Sequence, residues 1–188
     1  MAFRIVFQPY DHNLLTLAAG TGDAGSRAAV ERFAAEQVET FRRDPVAMRR
    51  AADLALSVID DGFPARTDEP EEPHRRDAAE LLVRAFLDRR AATDREFRYF
   101  DLLDAFPAGF FEPFPQVRTA LEEGRPWFGA ACPEERTYGT LTRDEVRRFA
   151  ARCDERRTDF AAPEWDVDPL RNVLRPAADR GCDLWFTL

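Results

Sequence analysis

Two histidines, three cysteines and a set of arginines are the side chains of this 188-residue sequence that could carry a reaction or hold a ligand. His12 follows Asp11 in "YDH", Tyr10 to His12, and a carboxylate beside an imidazole suits part of a metal site or an acid–base pair. The same residues also read as the entry to a helix with Asp11 as its cap. His74 sits among Glu71, Glu72, Arg75 and Arg76 and reads as a solvated loop residue. Neither histidine stands at a spacing that pairs it with Ser26, Ser57, Cys132, Cys153 or Cys182, so no nucleophile–base couple is defined. The cysteines are odd in number and far apart, which fits neither a disulfide framework nor a C-x-x-C metal or redox site. They read as reduced thiols, with Cys153 on an apolar helix face and Cys132 in a loop. No catalytic residue, metal ligand or cofactor is expected.

All 27 cationic side chains are arginine. The absence of lysine removes a Walker-type phosphate loop, Schiff-base catalysis and a lysine general base together. Adjacent arginines recur, as at Arg42-Arg43, Arg75-Arg76 and Arg147-Arg148, but acids are interspersed with them, so ion pairs on helix surfaces are the expected use. Adjacent acids such as Asp60-Asp61 and Glu122-Glu123 diverge on a regular element instead of converging on a ligand. The net charge of -8 opposes binding to a phosphate backbone, which draws on surplus cations, so no nucleic acid is expected as partner. The "GTGDAG" loop at 20–25 has glycines that could approach a phosphate but lacks the spacing of a nucleotide-binding fingerprint. No segment approaches the roughly 20 apolar residues of a membrane span, and the opening residues lack the pattern of a signal peptide. A cytoplasmic protein without a membrane partner is expected; no feature fixes an oligomeric state.

Aromatic side chains are the other resource. "FPAGFFEPFP", Phe106 to Pro115, holds Phe106, Phe110, Phe111 and Phe114 among three prolines, and Trp127 and Phe128 follow in "RPWFGAACP". Each such ring buries about 150–250 Å², so a core role is the ordinary reading. The prolines stiffen the loop, however, and a stiff loop presents a binding group at less entropic cost. Phe110, Phe111, Phe114, Trp127, Phe128 and Tyr138 are therefore the candidate partner- or ligand-binding residues, with Asp11 and His12 as polar contacts.

These residues must be positioned by the elements around them. Phe3, Ile5 and Phe7 alternate with Arg4, Val6 and Gln8, which predicts a strand. A short helix ending at Gly20 follows, then an amphipathic helix over 26–43. Asp44 caps another, with Pro45 at its first position and Gly62 beyond its end. Residues 63–76, with three prolines and a run of acids, read as a flexible surface loop. Asp77 with Glu80 and Thr93 with Glu96 predict two capping boxes, the second opening a helix that carries Phe97, Phe100, Leu103 and Phe106 and stops at Pro107. A helix from Pro115 to before Gly124 follows. Thr142 with Glu145 makes a third box, ahead of the stripe Val146, Phe149, Ala150, Cys153. Asp168 and Pro169 open the last helix, which Pro176 should kink and Gly181 closes. Alternation returns at the end in "CDLWFTL". One strand at each end with helices between them predicts that the two pair. The expected fold is α+β: a single, mostly helical domain over 1–188 with a small sheet that includes the N-terminal and C-terminal strands.

"YGTLTRDEV", Tyr138 to Val146, the helix after it, and "LRPAADRGCDLWFTL", Leu174 to Leu188, resemble the C-terminal part of the YfbM-like bacterial proteins and related actinobacterial families. The opening strand with "GTGDAG" and its helix is similar more weakly. The resemblance, mainly over 136–188, implies a helical α+β domain; those families have no established activity to carry over.

The expected function is that of a non-enzymatic, acidic interaction module, of the immunity-type inhibitor or accessory-factor kind, with a basic protein partner. The alternative is a small-molecule-binding protein or enzyme with an aromatic-lined pocket.

Overall fold

In the computed structural model, which describes residues 4–63, 74–87, 96–98, 103, 106–125, 138–160 and 167–187, the two alternating segments become strands β1, Arg4–Tyr10, and β4, Asp183–Thr187. They pair antiparallel, from Val6 opposite Thr187 to Tyr10 opposite Asp183. Two short strands complete a four-stranded antiparallel sheet of order β2-β1-β4-β3: β2, Glu96–Arg98, beside β1, and β3, Tyr138–Leu141, beside β4. The fold is the expected mostly helical α+β arrangement. Pro9 sits in β1 without a ladder N–H, and β2 pairs only with Arg4, Ile5 and Val6, so the proline falls where a ladder runs on one side of the strand alone.

Helices among the described residues include α1 (His12–Ala18), α2 (Ala24–Phe41), α3 (Pro45–Asp61), α4 (Arg75–Ala85), α5 (Pro115–Glu123), α6 (Arg143–Glu155) and α7 (Asp168–Asp179). The chain divides into two compact units. One comprises residues 1–10, 88–125 and 132–188; the other comprises 11–87 and 126–131.

In the first unit the sheet turns Phe7, Leu141, Leu184 and Phe186 toward Val117 and Leu121 of α5, Val146, Phe149 and Cys153 of α6, and Leu170, Val173, Leu174 and Ala177 of α7. The capping box forms as read: the Thr142 hydroxyl accepts the Glu145 amide at 3.4 Å, and Glu145 Oε2 accepts the Thr142 amide at 2.9 Å. Helix α7 continues through Pro176 and ends in a Schellman motif. Gly181, at φ +65°, lets its amide reach the Ala178 carbonyl at 3.1 Å while the Cys182 amide reaches that of Ala177 at 2.9 Å. That turn launches β4. Gly139 in β3 faces the backbone of Arg125 across a parallel bridge; a Cβ there would stand 2.6 Å from both the amide nitrogen and the carbonyl oxygen of Arg125.

On the opposite sheet face Tyr10, Tyr138, Asp183 and Trp185 are buried, a polar-aromatic group. Tyr138 and Trp185 stack at 5.5 Å, and Tyr10 and Asp183 lie opposite one another. Burial pushes the Tyr10 phenol far above its ordinary value, and the Asp183 charge pushes it further, so the group stays neutral.

In the second unit α2, α3 and α4 pack on one another through Val30, Phe33, Met48, Ala51, Ala55, Val58, Ile59, Leu81 and Leu82. Asp11, Asp23 and Asp44 each cap the helix that follows. Two expectations fail. Helix α4 already begins at Arg75 with His74 as N-cap, so Asp77 lies inside the first turn and caps nothing, while Glu80 pairs with Arg84; residues 64–73 of the acidic loop lie outside the described residues. Phe97 is in β2, not in a helix: Glu96, Phe97 and Arg98 pair with Val6, Ile5 and Arg4. The local helix-start signal loses there to a ladder that satisfies the otherwise open flank of β1. Thr93 and Phe100 lie outside the described residues.

Candidate functional site

Between Phe106 and α5 the chain winds through consecutive tight turns, with the Phe110 amide on the Pro107 carbonyl at 3.0 Å, Glu112 on Gly109 at 3.3 Å, and Phe114 on Phe111 at 3.0 Å. Pro115 then starts α5 without needing a donor. This winding drives Phe110, Phe111 and Phe114 inward, to 1%, 7% and 2% exposure. Their rings meet edge to face: Phe110 and Phe111 at 5.0 Å, Phe110 and Phe114 at 6.0 Å, Phe111 and Phe114 at 5.9 Å. Phe149 of α6 joins all three. They are packing residues of the core, and an exposed recognition surface built from them is not what the structure shows. Half-buried Phe106 lies over the cluster, 4.6 Å from Phe110 and 4.8 Å from Phe111.

Phe106, with the edges of Phe110 and Phe111 beneath it, floors a groove of about 520 Å³, walled by Pro107, Ala108 and Pro115 and carrying two charges, Glu112 and Arg118. The two differ in state. Arg118 gives its Nε to Glu122 Oε1 one turn along α5, at 2.7 Å. The Glu112 carboxylate makes no hydrogen bond or ion pair among the described residues and folds over Gly109, whose φ is +73°. A Cβ on residue 109 would approach Glu112 Oε1 to 3.1 Å, so glycine both permits the turn and leaves room for the carboxylate. The groove therefore combines an aromatic floor, proline walls, an arginine already paired with Glu122 and a carboxylate with no ion pair among the described residues.

The other candidates fall elsewhere. Tyr138 is 1% exposed, stacked on Trp185 in the sheet, and is not part of the groove lining. Asp11 caps α1, its Oδ1 accepting the Leu14 amide at 3.0 Å; His12 opens that helix half-buried, its ring 6.5 Å from that of Phe63. Trp127 and Phe128 lie outside the described residues, as does Cys132. Cys153 and Cys182 are buried, and burial raises the Cys153 thiol far above its ordinary value, which disqualifies it as a nucleophile. No group of three or more His, Cys, Asp or Glu residues converges among the described residues. The glycines of "GTGDAG" serve the fold: the Gly20 amide donates to the Val58 carbonyl at 3.0 Å and the Gly22 amide to that of Ile59 at 2.8 Å, capping the last turn of α3. Those amides are spent and cannot cradle a phosphate. Arginines from the adjacent pairs are likewise engaged, Arg147 with Asp144, Arg156 with Asp159 and Arg157 with Asp168.

Glu112 and Arg118 were not among the residues singled out by sequence. One signal pointed at the first of them: Glu112 is the single charged residue between Phe106 and Pro115. No helix among the described residues is long and apolar enough to cross a membrane. Comparison with protein-family models, with curated proteins and with solved structures gives no match for the chain.

Proposed function

We propose that this chain is a non-enzymatic, acidic interaction module of the cytoplasm that receives a segment of a basic protein in the groove between Phe106 and Arg118. The observation that carries this reading is the unpaired Glu112 carboxylate beside an aromatic floor, in a chain of net charge -8. The floor is preformed because its rings are locked in the core, so binding pays little for ordering them. The neutral Tyr10 and Cys153 and the spent glycine amides favour recognition over catalysis. The likeness of residues 136–188 to the YfbM-like proteins belongs to the same reading. A small-molecule ligand is the alternative, favoured by the groove volume, which lies within the usual range of about 300–1,000 Å³ for such sites.

The test uses an exposed wall residue, so that the core is left alone. Ala108→Trp fills the mouth of the groove. Fluorescence anisotropy with blocked basic peptides bearing leucine, and with acidic counterparts of the same length, should show binding of the basic set, weakened about tenfold by Ala108→Trp. Circular dichroism checks that the variant is folded. Equal binding of both sets, or indifference to Ala108→Trp, overturns the proposal; a thermal-shift response to a metabolite that Ala108→Trp abolishes, without peptide binding, installs the alternative.

A further inference from the structure

Resting on the groove reading above, we infer that the groove is specific for a single arginine side chain of the basic partner and that Glu112 is the residue that selects it. Three observations converge. First, the two charges in the groove differ in state: Arg118 is already paired with Glu122, whereas Glu112 forms no ion pair among the described residues. A cationic head supplied from outside completes that pair. Second, Glu112 is presented by the turn it stands in. Its carboxylate rests against Gly109, at the groove it lines, in a position that a side chain at 109 would crowd. Third, the same ring cluster already accommodates a guanidinium: Arg152 of α6 places its Cζ 6.0 Å from the Phe110 ring centroid.

The preference for arginine over lysine follows from shape and hydration. A guanidinium is planar, stacks on aromatic rings, sheds water more readily than an ammonium, and can fork onto both oxygens of a carboxylate. A lysine ammonium is a compact, strongly hydrated charge that gains less from an aromatic floor. Proline walls and the edge of Phe106 suit the methylene stem of the same side chain.

The experiment compares a short blocked peptide with a central Leu-Arg-Leu against forms in which the arginine is replaced by lysine or by citrulline, its neutral isostere. Each is titrated against the native chain, Glu112→Gln and Ala108→Trp by fluorescence anisotropy at low and at high salt. On the native chain the citrulline peptide should bind about tenfold more weakly than the arginine peptide, and the lysine peptide should fall between them. On Glu112→Gln the three should converge, which is the signature of direct coupling in a double-substitution cycle. Glu112→Gln is expected to leave the thermal midpoint unchanged, because the carboxylate has no partner to lose. If the arginine peptide binds and Ala108→Trp blocks it, but citrulline binds equally well or Glu112→Gln keeps the arginine preference, the groove stands and the arginine assignment falls. Absence of binding by every peptide overturns both.

Discussion

Arg125 holds Glu145 with both arms of its guanidinium, Nη1 on Oε2 at 2.5 Å and Nη2 on Oε1 at 2.9 Å. The same two nitrogens donate to the carbonyls of Thr140 and Gln116, and Glu145 Oε2 also accepts the Thr142 amide, so one ion pair joins α5, β3 and the start of α6. The Glu145 side chain is only 11% exposed. Removing its charge strands a partly buried guanidinium, and Glu145→Gln should lower stability by about 2 kcal/mol. Arg118→Gln, which breaks the exposed pair with Glu122, should change it by less than about 0.5 kcal/mol. Urea unfolding followed by circular dichroism measures both; equal effects would remove the distinction.

Acid should unfold the chain through a small set of carboxylates. Burial pulls Glu145 upward, but the bonds from Arg125 and the Thr142 amide win and hold it below its ordinary value. Burial likewise opposes Asp154, which bonds from Arg171 and Arg175 bring down. Asp168 is lowered chiefly by its bond from Arg171. A depressed folded value contributes stability that is complete above the ordinary carboxylate range and is lost as pH falls through the folded value. The thermal midpoint should therefore be level above about pH 5 and fall progressively below about pH 4. Arg171→Gln removes one partner from Asp154 and one from Asp168, leaving Arg175 and Arg157 in place, and should flatten part of that acid limb. An unchanged limb in the variant would count against this account.

Gln37 is 6% exposed, and its Nε2 has no hydrogen-bond partner among the described residues. It lines a small cavity with Arg43, Met48, Asp77, Glu80, Leu81 and Arg84, about 10 Å³ in volume, at the lower limit for one water. An unsatisfied buried amide costs about 1–3 kcal/mol, and Gln37→Leu should raise the unfolding midpoint by the equivalent of about 1 kcal/mol. A lower midpoint would mean that the amide is satisfied in solution, by a water in that cavity.

The features legible in the sequence were those whose cause is local. Alternation at Phe3–Gln8 and in the final residues gave the two strands, and the need to pair them gave their adjacency. Thr142 with Glu145, Asp44 with Pro45, and Gly181 mark helix ends within a few residues of themselves, and each is where it was read. The helix expected at Phe97 fails because a helix-start signal close by says nothing about β1, some ninety positions away in the chain, whose flank Phe97 joins. The structural use of Gly20 and Gly22 is not legible because their partners, the carbonyls of Val58 and Ile59, lie nearly forty positions further along the chain. The groove is hidden for the same reason: its aromatic residues are plain in the sequence, but only the winding of the turns shows that Phe110 and Phe111 face the core while Glu112 stays outside.

Strand β4 lies between β1 and β3, and its five residues are the last of the described chain. On the ribosome, therefore, the middle of the sheet is made last. Helices α1 to α4 lie within a continuous stretch from His12 to Ala85, and α2, α3 and α4 can close on one another early in synthesis. Phe7, by contrast, has no strand opposite it until Phe186 emerges. A product that stops before Asp183 would leave β1 and β3 with no backbone between them, and the apolar face they share would have nothing to hold it flat.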